Sequence, residues 1–250
     1  MTLTVDGVRF GYDGNTVLDG VCFDARPGEF LAVLGNNGAG KSTLLKCLNG
    51  ILRPCSGAVL LGEGDVRAMS RTQVAREIGY VPQRTDATSI TVMDAVLLGR
   101  KPHIRWDAGG EDLRVVEDVL RRLGLEELAL RPLDQLSGGE LQKTAIARAL
   151  AQEPRVLLLD EPTSSLDLRN QLDVLDTVKR VAEDGDVAVV AVMHDLNLAL
   201  RYADRFMLLA QGRVHAFGGP EVITAATVSA VYGVPVSVTQ VNDLPLVVPL

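Results

Sequence analysis

The residues with the clearest chemistry lie between positions 35 and 43. Gly35 to Ser42 read Gly-Asn-Asn-Gly-Ala-Gly-Lys-Ser and match the pattern G-x-x-x-x-G-K-[ST]. The glycines let backbone N–H groups surround a polyphosphate, Lys41 adds a positive charge at the β- and γ-phosphates, and Ser42 offers a hydroxyl group to Mg²⁺. A chance glycine turn is the alternative, but the stretch lies between a predicted strand and a predicted helix. The predicted phosphate-binding residues are Gly35, Asn36, Asn37, Gly38, Ala39, Gly40, Lys41, Ser42 and Thr43.

An apolar segment, Val156 to Leu159, ends at two adjacent carboxylates, Asp160 and Glu161. Because side chains alternate across a strand, the two carboxylates cannot do the same job. One can hold Mg²⁺, usually through a water molecule, and the other can polarise an attacking water as a general base. The alternative is a polar strand end before the turn at Pro162. The phosphate-binding loop favours the functional interpretation.

The stretch Leu136-Ser-Gly-Gly-Glu140 supports two interpretations that can hold together. Ser137 and Glu140 form the pattern of a capping box, which predicts the start of a helix that continues through Leu150. Two glycines directly after the cap are poor helix formers. They are consistent with a helix N-terminus that approaches an anion closely, where the Ser137 hydroxyl and free N–H groups bind phosphate.

The surrounding elements predict an α/β nucleotide-binding fold. A buried strand, Phe30 to Leu34, precedes the glycine-rich loop, and a helical pattern from Lys41 to about Asn49 follows it. Val156–Leu159 and Val187–Val192 are further buried strands. A helix over Leu168–Glu183 joins them, which predicts a βαβ unit in a parallel sheet.

The remaining segments predict the domain organisation. Residues before Phe30 alternate in short runs with glycine turns, which indicates antiparallel strands. Residues 86–152 hold helical patterns without a convincing strand, at Val92–Leu98, Asp112–Leu123 and Leu141–Ala151. We therefore expect a single domain with an α/β core and β lobe over about 1–85 and 153–220, a helical lobe over 86–152, and a tail or peripheral strand pair over 221–250.

Together, the phosphate-binding loop, the Asp-Glu pair and Leu136-Ser-Gly-Gly-Glu140 resemble the ATPase subunit of an ABC transporter, over about residues 3–217. The resemblance implies a P-loop NTPase core of the RecA-like kind with an N-terminal antiparallel β lobe and an inserted α-helical lobe. It implies ATP and Mg²⁺ as cofactors, with the metal held by Ser42, Gln83 and Asp160. Glu161 is implied to orient or deprotonate the attacking water.

Four further residues match the family by position. Tyr12 resembles the aromatic residue that stacks on adenine; the alternative is an ordinary tyrosine of the β lobe. Gln83, in Val81-Pro-Gln83, resembles the Q-loop glutamine that reaches the metal and links the lobes. Asp167 resembles the D-loop residue that crosses between subunits, although it could simply cap the next helix. His194 resembles the switch histidine at the γ-phosphate, although a lone histidine at a strand end is more often structural. The catalytic residues implied are Glu161, His194 and Gln83.

The family mechanism implies a head-to-tail homodimer. Each ATP lies between the phosphate-binding loop of one copy and Ser137, Gly138 and Gly139 of the other, so a monomer is expected to hydrolyse ATP poorly. The expected partners are integral membrane permease subunits and, indirectly, a substrate-binding protein. The expected location is peripheral, at the cytoplasmic face of the cell membrane.

Two observations favour an importer, whose ATPases are commonly separate chains. The sequence has no apolar run near the roughly 18 residues of a membrane helix and no secretory signal. Gly99-Arg-Lys-Pro-His103 and residues 194–204 resemble importers for iron–siderophore, haem and cobalamin, although Pro102-His103 could also be a turn with an exposed histidine. Leu141 stands where such relatives often carry a polar residue. The expected function is uptake of such a metal chelate, with molybdate or another small solute as the alternative.

The composition argues against other classes of protein. Acidic residues outnumber basic ones by 32 to 25, and the resulting net charge of −7 provides no basic field for nucleic acid. A non-transport ABC ATPase is the less favoured alternative, because no second cassette, basic linker or sustained heptad occurs. A GTPase is disfavoured by the lack of an Asn-Lys-x-Asp motif. The three cysteines, Cys22, Cys47 and Cys55, lack metal-ligand spacing and fit a reducing cytoplasm.

Overall fold

A computed structural model describes residues 2–84, 88–184, 187–241 and 244–250. The strands, in chain order, are β1 (Leu3–Tyr12), β2 (Asn15–Ala25), β3 (Phe30–Leu34), β4 (Ser56–Leu61), β5 (Gly64–Asp65), β6 (Ile78–Val81), β7 (Val156–Asp160), β8 (Ala188–Val192), β9 (Arg205–Ala210), β10 (Arg213–Gly218), β11 (Val236–Val241) and β12 (Leu244–Pro249). The helices are α1 (Lys41–Leu48), α2 (Arg71–Glu77), α3 (Val92–Leu97), α4 (Gly110–Leu123), α5 (Gly138–Leu150), α6 (Leu168–Glu183), α7 (Leu196–Tyr202) and α8 (Ala225–Tyr232).

The central sheet has the strand order β10-β9-β3-β8-β7-β6. Its pairs from β9 to β6 are parallel, and every residue of β3, β7 and β8 is buried. Strands that are covered on both faces need continuous apolar runs, which explains why these segments are easy to recognise in the sequence. The carboxyl ends of β3, β8, β7 and β6 therefore meet along one edge of the sheet.

Two hydrophobic clusters lie on opposite faces of this sheet. Phe30, Ala32 and Leu34 pack into the first cluster, whereas Leu31 and Val33 pack into the second, as the alternation of side chains along β3 requires. The first cluster contains apolar residues of α3 to α8, and the second contains those of α1 and the β lobe. The β lobe is a sheet of order β2-β1-β4-β5, with antiparallel pairing throughout, as predicted.

The helices α3, α4 and α5 occupy the chain between β6 and β7. They confirm the three helical patterns predicted there. The helix α4 begins at Gly110, earlier than predicted, and α5 begins at Gly138, directly after the predicted cap at Ser137. In the described residues of this segment the only strand-like pairing is one isolated bridge, between Thr91 and Pro132. The predicted lobe boundary at residues 85 and 86 lies outside the described residues. None of the described helices combines the length and apolar character needed to cross a bilayer.

The C-terminal part differs in one respect from the prediction. The helix predicted over Leu168–Glu183 is α6, and the predicted peripheral strand pair is β11 with β12. The tail also contains α8, which the alternating valines did not predict. Tertiary packing explains this helix, because Val228 and Val231 are buried in the first of the two hydrophobic clusters.

Candidate nucleotide-binding site

The phosphate-binding loop connects β3 to α1 and is held close to β9. Gly35 is buried with φ 146°, and a Cβ atom there would lie 2.1 Å from the Leu209 carbonyl oxygen, so no other residue fits. Gly40 is the N-cap of α1 and supplies no side-chain cap. The first N–H groups of α1 thus have no side-chain acceptor at the cap and are available to an anion.

Lys41 is buried inside this loop, with 5% of its surface exposed. Its Nζ donates to the carbonyl oxygens of Gly35, over 2.7 Å, and of Asn36, over 2.9 Å. Burial lowers the pKa of Lys41, and the nearby carboxylates of Glu161 and Asp160 oppose that shift. A buried ammonium group that donates to neutral carbonyls is strongly stabilised when an anion binds to it.

Ser42 and Asp160 form an oxygen-rich pair beside Lys41. Ser42 Oγ donates to Asp160 Oδ1 over 2.9 Å, and the Tyr80 hydroxyl donates to Oδ2 over 3.4 Å. Burial raises the pKa of Asp160, and the hydrogen bond from Ser42 works in the opposite direction. A hydroxyl and a carboxylate in contact are hard oxygen donors that suit Mg²⁺. In the described part of the chain no three His, Cys, Asp or Glu residues gather to hold a metal, so this pair fits a cation that is bound mainly through phosphate and water.

Glu161 lies between two partners from the neighbouring strands. Gln83 Nε2 donates to Glu161 Oε2 over 2.5 Å, and His194 Nε2 lies 2.5 Å from Oε1. The three residues follow β6, β7 and β8, which are adjacent in the sheet. Glu161 has φ 54°, a left-handed conformation that non-glycine residues adopt rarely and that occurs often at functional sites. The structure therefore places Gln83 on Glu161, while Ser42 and Asp160 form a separate pair.

The predicted helix start at Ser137 is confirmed as the N-terminus of α5. Ser137 Oγ accepts from the Glu140 N–H, and Glu140 Oε2 accepts from the Ser137 N–H, so the capping box is complete. Gly139 is buried, and a Cβ atom there would lie 2.3 Å from Asn170 Oδ1 on α6. Ser137 and Gly138 remain exposed. No hydrogen bond among the described residues joins this segment to the phosphate-binding loop of the same chain.

Asp167 and Tyr12 have local contacts of their own. Asp167 is the N-cap of α6, and its Oδ1 accepts from the Asn170 N–H over 2.8 Å. Tyr12 is 47% exposed, and its ring packs edge-on against Phe10 with 4.8 Å between centroids. An exposed aromatic face of this kind can stack on a base. The nucleotide contacts predicted for both residues remain predictions.

The stretch Gly99-Arg-Lys-Pro-His103 has a structural role in the helical segment. Arg100 is buried and pairs with Asp112 of α4, with 3.0 Å between Nε and Oδ1, and with Glu153, with 2.6 Å between Nη1 and Oε2. Arg100 also donates to the carbonyl oxygen of Ala151, directly after α5. His103 is half-buried, with 2.9 Å between Nε2 and the Gln152 carbonyl oxygen, so it is not the exposed turn histidine considered above. These residues join α4 to the C-terminal end of α5.

Three residues near the site were not identified from the sequence. Tyr80 contacts Asp160, Asn170 covers Gly139, and the Tyr232 hydroxyl accepts from the Gly35 N–H over 3.1 Å. A hydroxyl on an otherwise apolar strand was a usable signal for Tyr80. Asn170 and Tyr232 had none, because their contacts depend on how α6 and α8 pack.

Comparisons of the sequence and of the fold with known proteins match the same family. The family model described as ABC transporter matches residues 18–164. An uncharacterized ABC transporter ATP-binding protein of Methanocaldococcus jannaschii is 50% identical over 250 residues, which covers 100% of this chain and 98% of that protein. The hemin import ATP-binding protein HmuV of Thermobifida fusca is 42% identical over 243 residues and covers 96% of this chain and 85% of its own length.

The cobalamin import ATP-binding protein BtuD of Halobacterium salinarum is 43% identical over 240 residues. The match covers 95% of this chain but only 60% of that longer relative. Among solved structures, an inward-facing ABC transporter described as being of the metal-chelate type superimposes with a TM-score of 0.87 at 35% identity, and the match covers 100% of this chain and 97% of that one. The similarity therefore extends over the whole chain, in both sequence and fold.

Proposed function

The chain belongs to the ABC transporter family, and we propose that it is the ATP-binding and ATP-hydrolysing subunit of an importer for metal chelates of the siderophore, haem or cobalamin kind. The observation that carries this proposal is the meeting of Lys41 and Ser42, at the start of α1, with Asp160 and Glu161 at the carboxyl end of β7. The relatives named for hemin and cobalamin import, and the structural neighbour of the metal-chelate type, support the choice of cargo class.

ATP is proposed to bind with its phosphates in the loop from Gly35 to Thr43. Lys41 exchanges its contacts with the loop carbonyls for the β- and γ-phosphates, and the open N-terminus of α1 faces the same charge. Ser42 and Asp160 would hold Mg²⁺ there, and the metal would neutralise charge on the phosphates. Tyr12 supplies an exposed ring for the adenine.

Glu161 is proposed to accept the proton of the attacking water. Its two carboxylate oxygens are held by Gln83 and His194, so the base is oriented before ATP arrives. Because Gln83 uses Nε2 toward Glu161, its Oε1 is the atom left to reach the metal. His194 has 45% of its side chain exposed, which allows it to contact a γ-phosphate as well.

A second copy of the chain is proposed to complete each site. Ser137 and Gly138 are exposed at the N-terminus of α5, where free N–H groups can receive phosphate from another molecule. Asp167 lies at the start of α6, which packs against the same glycine segment. The head-to-tail dimer would thus bring Ser137, Gly138 and Gly139 of one copy to the phosphate-binding loop of the other.

The proposed partners are the permease subunits of the importer and, through them, a substrate-binding protein. The chain would then act as a peripheral subunit at the cytoplasmic face of the membrane. The test is to reconstitute the chain with its co-purified membrane partner in lipid vesicles and to measure phosphate release. We expect stimulation by one of hemin, cobalamin or a ferric siderophore presented with the binding protein.

The matched variant for this test is Lys41→Ala. We expect its affinity for ATP to fall about ten- to a hundredfold, because a charge-assisted contact to the phosphates is lost. Equal ATP affinity in this variant would contradict the phosphate-binding role. Recovery of the wild-type chain with ribosomes and with no integral membrane protein would contradict the importer role.

A further inference from the structure

The C-terminal module, residues 219–241 and 244–250, contacts the phosphate-binding loop directly. It includes α8 and the antiparallel strand pair β11 and β12. The Tyr232 hydroxyl accepts from the Gly35 N–H over 3.1 Å, and Asn36 Nδ2 donates to the Val231 carbonyl oxygen over 2.9 Å. Two successive residues at the end of α8 therefore hold the first two residues of the loop.

The second anchor of the module lies on α7. Asn197, on α7, donates from Nδ2 to the Val247 carbonyl oxygen over 3.3 Å and accepts from the Val247 N–H over 2.8 Å. The Asn197 side-chain amide thus satisfies both backbone groups of Val247, as a residue of a neighbouring strand would. The module is fastened both to the loop that begins at Gly35 and to the helix that begins two residues after His194.

The hydrogen bond from Gly35 to Tyr232 involves a backbone N–H that is closely packed. Gly35 is buried and packs closely against β9, where an added Cβ atom would lie 2.1 Å from the Leu209 carbonyl oxygen. Its N–H needs an acceptor, since an unpaired buried donor is costly. The Tyr232 hydroxyl is that acceptor, and burial raises the pKa of Tyr232, so the hydroxyl stays protonated over the working pH range.

We infer that the C-terminal module is a brace of the nucleotide site, in which Tyr232 is a positioning residue that holds Gly35 and the start of the loop in the conformation that receives phosphate. This inference rests on the proposed function, because it assumes that ATP binds in the loop. The brace acts through the fraction of molecules whose loop is ready to bind, so its loss raises the apparent Kd for ATP in inverse proportion to the fraction that keeps this conformation.

The test compares Tyr232→Phe with the control Tyr202→Phe. Tyr202 is also a largely buried tyrosine near the C-terminus, but its hydroxyl interacts with Asp176 on α6 and not with the loop. Affinity is measured by titration with a fluorescent ATP analogue, KM and kcat by phosphate release, and Tm by thermal denaturation. For Tyr232→Phe we expect about three- to thirtyfold weaker ATP binding and a matching rise in KM. We expect kcat at saturating ATP to stay within about twofold and Tm to match the control.

The outcomes separate this inference from the proposed function. Wild-type ATP affinity and KM in Tyr232→Phe would overturn the brace while leaving the proposed function intact. A fall in Tm beyond that of Tyr202→Phe, with unchanged KM, would assign the hydroxyl a structural role only and would also overturn it. Absence of ATP binding by the wild-type chain would instead refute the proposed function, on which the brace depends.

Discussion

Gln83 Nε2 lies 2.5 Å from Glu161 Oε2, although 78 positions separate the two residues in the chain. Gln83 stands where the chain leaves β6 for the helical segment, so this hydrogen bond connects that exit to the proposed base. The bond therefore ties the start of the helical segment to the end of β7.

The first prediction concerns this hydrogen bond. Gln83→Ala should lower kcat about ten- to a hundredfold, because a hydrogen bond to a charged group is lost and the carboxylate is no longer oriented. ATP affinity should change little. Phosphate release at saturating ATP measures the effect, with Gln73→Ala on α2 as the control amide. A loss of equal size in both variants would contradict an orienting role for Gln83.

The second prediction concerns the base itself. Glu161→Gln should bind ATP normally, lose about 10²- to 10⁴-fold in turnover, and accumulate as an ATP-bound dimer, because the attacking water loses its proton acceptor. Size-exclusion chromatography with ATP detects the dimer. Glu183→Gln, on the exposed face of α6, is the control and should behave as wild type. Normal hydrolysis by Glu161→Gln would refute the assignment of the base.

The third prediction uses the pKa of Asp160, which burial raises above its ordinary value of 3.8. Between 3.8 and this higher value the folded state binds more protons than the unfolded state, so stability falls as the pH rises. Asp160→Asn keeps the side-chain shape and can still accept from Ser42. It should therefore raise Tm at neutral pH without nucleotide, and the gain should vanish as the pH falls toward 3.8.

Asp24→Asn is the matched control, with the opposite sign. The hydrogen bond from Arg205 holds the pKa of Asp24 below its ordinary value, so the charge stabilises the fold at neutral pH. This variant should lower Tm at pH 7, and its deficit should shrink as the pH falls below 3.8. Tm changes of the same sign in the two variants would contradict the opposite pKa shifts assigned to Asp160 and Asp24.

The fourth prediction concerns Arg100. Replacement by Ala leaves Asp112 without its buried partner and should destabilise the chain by about 3 kcal/mol or more, measured by urea denaturation. Arg121→Ala is the control, since Arg121 pairs on the surface with Asp118 and Glu126 and should contribute less than about 1 kcal/mol. Similar small losses in both variants would show that the Arg100 pairs are not structural.

The parts of the site that are local in sequence could be predicted. The phosphate-binding loop, the capping box at Ser137 and the strand before Asp160 each depend on residues within a few positions of one another. The meeting of Gln83 and His194 on Glu161 is not local. It depends on β6 and β8 both pairing with β7, and no spacing within the sequence reveals that order.

The C-terminal helix shows a second limit. The segment Ala225–Tyr232 has no charged residue and holds β-branched Thr and Val, so it lacks the polar face by which a surface helix is usually recognised. Its cap is Thr224 with Thr227 rather than Glu or Gln at the third position. The contact from Tyr232 to Gly35 joins residues 197 positions apart and depends entirely on packing.

The order of the central strands also sets the distances between the groups at their ends. Four neighbouring parallel strands, β3, β8, β7 and β6, carry at their ends the loop, His194, Glu161 and Gln83. Adjacent strands are about 4.8 Å apart, so the sheet spaces these groups over about 15 Å. Insertions in the connections between the strands can lengthen the chain without altering this spacing. The spacing of these groups is therefore set by backbone pairing between the strands, which substitution of their side chains leaves unchanged.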